Sequence, residues 1–321
     1  IWSTVEAFPP NYGKAAAMGL SLFLVMVLML TFYRWVVNRG SYATITGKAF
    51  RPRPMDMGRT AWALFSICLL YIVLAVILPV AALLLTSFQT FATVILSQAR
   101  FTLANYQEAL ALGPVRAALA NSIILGTCVA TVGAVVMALL VWIIYRSTMR
   151  GRGIIEYLVM LPSSVPRLVF GLGLLWAWIN MPGGLYGTLW LLGIAYFTVL
   201  LPLGVRTIAG VVLQIDKSLE ECARVCGASW ATQMRTVTLP LLRPGIIAAW
   251  MLLFAASVRE VGASLLLMGP HSKVIGPSIV ATWASSGTQL TAAMALIQTF
   301  VVMLALIILF RVMRGASKEL L

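Results

Sequence analysis

An all-α, polytopic membrane protein is the fold class this sequence predicts, and three observations predict it. Of 321 residues, 61% are hydrophobic and 10% charged, whereas a soluble domain is about 45–50% apolar and about 25% charged. The apolar residues fall in runs of about 20 or more, enough to carry a helix across ~30 Å of hydrocarbon. The charges collect in the stretches between those runs, which keeps ionised groups out of lipid.

The runs predict seven spans, at 15–37, 61–86, 116–145, 154–178, 186–208, 246–268 and 290–313. Their connections alternate in charge. One set holds Arg39, Lys48, Arg51, Arg53 and Arg59; Arg146, Arg150 and Arg152; Arg206, Lys217, Arg224, Arg235 and Arg243; and Arg311, Arg314 and Lys318. The opposite set holds Lys14, Arg100, Arg116 and Lys273. Lys and Arg are retained on the cytoplasmic side, so residue 1 is expected outside and the C-terminus inside. The net charge of +14 is therefore read as topological, and no nucleic-acid partner is expected. The chain begins at Ile1, and the basic flank of its first run, Arg34 and Arg39, follows the apolar part. A signal peptide has the reverse order, and an odd number of further spans is expected upstream.

Residues 39–60 combine Gly40, Gly47, Pro52, Pro54 and Gly58 with basic side chains, the chemistry of a linker. It separates a lone first span from a six-span unit, 61–314, with a short tail at 315–321. The outer segment 87–115 is mixed and is expected to hold a short amphipathic helix around Asn105–Leu112. Trp176, Trp178, Tyr186 and Trp190 fall at outer span ends, where aromatic belts form. Span 154–178 contains Pro162 and Pro166, then Gly171 and Gly173. Prolines there fit either a packing kink or a break beside a pathway.

Arg167, Arg259 and Glu260 are ionised residues at membrane depth. Each costs at least ~2.5–3.5 kcal/mol facing lipid at the midplane, so all three are expected to face the bundle interior. Arg259 and Glu260 point about 100° apart on one helix, so their partners are expected on other helices, as structural pairs or as pathway-lining groups. Nine carboxylates and one histidine, His271 in an outer loop, do not supply the ligand sets of a hard-cation site, nor the acid chains of a proton-coupled carrier. Selectivity is expected to reside in another protein. Cys68 and Cys128 lie in apolar runs; Cys222 and Cys226 share a helix face without further ligands. All four read as small apolar residues, not as a disulfide framework or a zinc site. No Walker A pattern occurs; Gly47-Lys48 lacks the earlier glycine and the following Ser/Thr. No catalytic, cofactor-binding or metal site is expected in this chain, and ATP with Mg would belong to a partner subunit.

One polar interval interrupts the greasy chain, SLEECARVCGASWATQMRTVTLP from Ser218 to Pro240. Ser218 and Glu221 have the spacing of a capping box, and Asp216, Glu220 and Glu221 suit a helix N-terminus. A helix is expected from Leu219 to Cys226, stopped by Gly227, which also leaves room for another backbone. Ser229 is placed to cap a second helix through Thr236, with Leu239-Pro240 and Pro244-Gly245 ending it before the next span. The interval therefore reads as a helix–turn–helix elbow, 216–240, at the cytoplasmic surface.

Glu221-Cys222-Ala223, three residues, Gly227, nine residues, then Val237-Thr238-Leu239-Pro240 resembles the E-A-A loop of type I ABC importer permeases, with Cys222 in place of Ala and Val237 in place of Ile. Asn121-Ser122-Ile123 looks like the opening of that family's transmembrane domain. Leu161-Pro162 to Pro166 and the run Arg259-Glu260-Val261-Gly262-Ala263-Ser264 resemble the ferric-iron permease branch, whose chains fuse two six-span halves. The resemblance implies that residues 1–38 carry the last span of an upstream half. It implies an inner-membrane permease subunit, not an enzyme, with two ATPase subunits, an extracytoplasmic binding protein and a second transmembrane half as partners. Ser218, Glu221, Ala223, Gly227, Leu239 and Pro240 would form the ATPase-coupling loop. Ferric iron is the implied substrate, with thiamine, polyamine or phosphonate as alternatives. An ion-coupled secondary transporter is the reading from another class; it would need intramembrane acids and no ATPase. A non-transport scaffold would need neither broken spans nor buried charges.

Overall fold

The computed structural model describes residue 4 and residues 12–37, 58–91, 93, 99–179, 181 and 183–318. Most of the linker 39–60 and the end of the tail lie outside the described residues. Among those described, the architecture is helical, and the extended pairing is an isolated bridge between Gln89 and Phe101.

The first helix, α1, runs Tyr12–Val37. Two helices, α2 (Gly58–Ile72) and α3 (Leu78–Phe88), are joined by a π turn at Val73–Ile77. Then come α4 (Ala104–Ala111), α5 (Gly113–Tyr145), α6 (Arg152–Met160), a 3-10 turn at Leu161–Ser164, and α7 (Arg167–Ile179). Helix α8 is Leu189–Val212, α9 Ser218–Val225 and α10 Trp230–Gln233. A π turn at Met234–Thr238 leads into α11, Leu239–Val258. The short α12 (Ser264–Leu267), α13 (Ile275–Ser285) and α14 (Thr288–Lys318) complete the described chain.

Five described helices are long and apolar enough to cross a membrane: Thr60–Phe88, Gly113–Tyr145, Leu189–Val212, Trp230–Val258 and Thr288–Arg311. The expected helix near 105–112 is α4, tied down by Asn105 Nδ2, which donates to the carbonyls of Ser87 and Gln89.

Two expected spans differ. The run 154–178 is not one straight span: its two parts meet at a 105° bend. Val165, before Pro166, is extended (φ −102°, ψ 124°), because the proline ring excludes the helical region for the preceding residue. The span expected at 246–268 belongs to a longer continuous helix, Trp230–Val258, whose first turns are the second arm of the polar elbow. Leu239-Pro240 and Pro244-Gly245 do not end a helix there. The π turn Met234–Thr238 stops two residues before Pro240, and the π turn Val73–Ile77 stops two residues before Pro79. A π turn shifts the carbonyl with which a proline ring would collide. Pro244 lies inside α11, where dense packing holds the helix. A Cβ on the adjoining Gly245 would lie 2.8 Å from Val211 Cγ2.

The core is the bundle of α5, α8 and α11. Met137 and Val141, Leu192 and Leu200, and Ala249 and Leu253 are fully enclosed there. Helices in lipid approach closely through small residues. Gly204 shows this most sharply: a Cβ there would meet Met137 Sδ. Polar pins fix the register. Trp250 Nε1 donates to Thr131 Oγ1 at 3.0 Å, Asn121 Nδ2 to the Lys273 carbonyl at 2.9 Å, and the Ile275 amide to Ser122 Oγ at 2.9 Å.

Candidate functional site: the polar elbow and a charge cluster among the helices

The elbow begins where Asp216 Oδ1 accepts the Ser218 amide at 2.9 Å. That bond, backed by the Ser218 hydroxyl, holds the Asp216 carboxyl below its ordinary range. The expected capping box is not formed. Lys217 is already helical (φ −66°, ψ −25°), so Ser218 stands in the first turn rather than at the cap, and Glu221 is exposed.

The helix ends on a Schellman motif. The Gly227 amide donates to the Arg224 carbonyl at 2.9 Å and the Ala228 amide to the Ala223 carbonyl at 3.0 Å, with Gly227 left-handed at φ +81°. This is the Schellman hydrogen-bond pattern, with glycine in the position past the cap. It gives a physical reason for the glycine at 227, since only the left-handed position restricts the residue type. Nothing in the described chain lies within 4 Å of a Cβ built on Gly227. Ser229 caps the next helix as expected, its Oγ accepting the Thr232 amide at 3.2 Å. Leu239 and Pro240 are exposed, and Ala223 is half-buried.

The elbow is fastened by residues that spacing did not single out. The two glutamates part company: Glu221 points outward, while Glu220 turns inward to Arg146, Oε1 to Nε 3.7 Å, with side chains 8% and 5% exposed. Arg146 follows α5 and donates from Nη2 to the carbonyls of Val212 and Ile215, the kind of groups a helix C-terminus leaves unsatisfied. One guanidinium therefore joins the end of α5, the end of α8 and the start of the elbow. Trp142 and Trp230 meet edge to face at 5.6 Å, and Arg224 Nε donates to Gln233 Oε1 at 3.1 Å across the two elbow helices. The available sequence signal was that adjacent Glu220 and Glu221 point about 100° apart on a helix, so one can turn to the bundle while the other faces out.

The second feature lies where two broken helices cross. Arg167 Nη1 donates to Glu260 Oε2 at 2.6 Å; the Glu260 side chain is 1% exposed and that of Arg167 54%. Glu260 Oε1 also accepts the Ala263 amide at 3.3 Å, and Ser264 Oγ bonds Tyr196 Oη at 2.6 Å. The crossing is close: a Cβ on Gly171 would lie 3.0 Å from the Ala263 carbonyl oxygen, and one on Gly276 would lie 2.6 Å from that of Glu260. The expected interhelical partner of Glu260 is thus Arg167. Arg259 departs from expectation. It is exposed, not interior, and its Nε returns to the Ala255 carbonyl of its own helix at 3.2 Å. The reason is that α11 ends at Val258, whose carbonyl is taken by Gln298 Nε2 at 2.8 Å. Arg259 therefore falls at the helix end rather than on an inward face.

The ferric transport system permease FbpB 1 of Haemophilus influenzae, a putative assignment, is 27% identical over 279 residues, covering 82% of this chain and 42% of the relative. The putative 2-aminoethylphosphonate permease PhnV of Salmonella typhimurium is 31% identical over 198 residues, 60% of this chain and 72% of the relative. The chain spans 38–52% of the length of three curated relatives matched over most of its own. Its fold matches a crystal structure of a bacterial ABC transporter that imports alginate, with TM-score 0.64, 16% identity, and coverage of 80% of this chain and 96% of that one. Residues 130–318, which include the elbow and the charge cluster, match the family model for the binding-protein-dependent transport system inner membrane component, and the chain belongs to that family.

Proposed function

We propose that this chain is a membrane-embedded subunit of an ATP-driven importer and that the elbow is where it takes up force from a separate ATPase. One observation carries the reading: the elbow is rigid within and bare without. Its helix ends are capped and Arg146 ties it to two spans. Yet Val225 is 88% and Trp230 59% exposed beside Glu221 and Gly227. Exposed apolar side chains on a polar, well-anchored element suit a protein partner. Ser218, Glu221, Ala223, Gly227, Leu239 and Pro240 form the coupling surface in this reading, and two ATPase subunits hold ATP and Mg. The charge distribution puts the elbow and the C-terminus in the cytoplasm and residue 1 outside. An extracytoplasmic binding protein then delivers substrate to the outer face, and a second transmembrane half completes the path. The names of the relatives support ferric iron or a phosphonate as substrate.

Gly227 tests the docking. In the full-length permease with its ATPase, Gly227→Trp is expected to insert normally while ATP hydrolysis no longer drives uptake. Gly227→Asn, which tolerates a left-handed backbone, is expected to fall between the two. Wild-type uptake by Gly227→Trp would sink the docking surface.

A further inference from the structure

We infer that the crossing of the two broken helices is an anion-recognition point, and that the solute passes it as an oxyanion or wrapped in oxyanion ligands. The inference rests on the permease reading above and concerns the chemistry of its path.

Depth comes first. Tyr196 lies seven residues inside the start of α8 at Leu189, about 10 Å along the helix. Its hydroxyl holds Ser264, whose Oγ reaches the Glu260 carbonyl at 3.4 Å. The cluster therefore sits well within the span. At this helix break Arg167 pairs with Glu260 and Arg259 is the residue before it in the chain, so two guanidiniums accompany one carboxylate. Glu260 is enclosed and engaged on both oxygens, so it positions Arg167 and offers nothing to a passing solute. Arg167 spends Nη1 on Glu260 and keeps its other nitrogens on an exposed face. Arg259 bonds the chain only through Nε, and its two terminal nitrogens have no partner among the described residues. A guanidinium facing hydrocarbon costs at least ~2.5–3.5 kcal/mol, so the uncovered faces belong against a water-filled path. Rings of Arg and Lys in pores select anions, and the planar guanidinium fork matches phosphonate and carboxylate oxygens. Among the described residues no three His, Cys, Asp or Glu side chains converge. A metal ion passing here would therefore keep the anionic ligands it arrives with.

The test uses the full-length permease bound to its ATPase in nanodiscs. Phenylglyoxal labelling of Arg167 and Arg259 is read by mass spectrometry in the presence of 2-aminoethylphosphonate, ferric citrate or, as a cation, spermidine. The expected result is protection of both arginines by one of the anions and none by spermidine; which anion protects separates a free phosphonate from a chelated metal. In proteoliposomes, Arg259→Gln is expected to lower uptake about tenfold, as loss of one charge-assisted contact does, and Arg259→Lys to restore most of it. Protection by spermidine, or no protection by either anion while the ATPase stays bound, overturns the anion site and leaves the permease reading standing. Loss of the second half in Arg259→Gln would make Arg259 an assembly contact and also overturns it. An ATPase that never associates overturns both.

Discussion

Replacing Glu220 with alanine should release the elbow from the helices that carry it. The Arg146 and Glu220 side chains are 5% and 8% exposed and 3.7 Å apart. Removing one member of a buried pair costs about 3–5 kcal/mol when the other is left uncompensated. Here Arg146 keeps two carbonyl acceptors, on Val212 and Ile215, and the Glu220 contact is longer than a hydrogen bond. The loss therefore falls to about 2 kcal/mol, about 30-fold in the equilibrium between docked and undocked elbow. Amide exchange reads this directly: peptides from 216–238 should exchange about 30-fold faster in Glu220→Ala, with α8 unchanged. In the assembled transporter, uptake should drop more than ATP hydrolysis. The double variant Glu220→Ala/Arg146→Gln should cost less than the sum of the singles, because the residues share one contact. Unchanged exchange across the elbow, or strict additivity, would refute the latch.

Two further outcomes follow from named contacts. Tyr196→Phe removes the 2.6 Å bond to Ser264 and should cost about 1 kcal/mol, lowering Tm by a few degrees; an unchanged Tm would remove the pair from the list of stabilising contacts. Asp216 has a folded pKa depressed by the Ser218 amide, so its cap is fully present above the ordinary carboxylate pKa of about 3.9 and is lost as pH falls through the lower folded value. The Ser218 amide shift should follow that titration with a midpoint below about 3.9, and a midpoint at or above it contradicts the cap. Gly227→Trp and Arg259→Gln complete the set, each separating elbow coupling from path chemistry.

Much of the fold was legible because hydropathy acts locally. A run such as 116–145 must cross or be buried whatever surrounds it, and α5 spans Gly113–Tyr145. Ser229 and Gly227 were equally readable, since a cap and a left-handed stop depend on the adjacent backbone. Prolines were not. Pro166 breaks its span and Pro244 does not, although both carry the same ring and lack the same N–H. The difference shows in the backbone and the neighbours: Val165 before Pro166 is extended, whereas α11 stays helical at Pro244 and is packed through Gly245 against Val211.

The sequence by itself determined that this chain lives in a bilayer, where several of its spans fall, and that one polar elbow carries a family motif, because composition, period and capping are properties of neighbouring residues. Only the tertiary structure decided which glutamate of the Glu220-Glu221 pair turns inward. It alone joined Arg146 to carbonyls 66 and 69 residues away, and Arg167 to Glu260 across 93. Such pairings follow from how three helices pack and where two of them break, and no local pattern encodes that. The same packing left Arg259 uncovered, turning a residue that read as an interior charge into the exposed half of a candidate anion site.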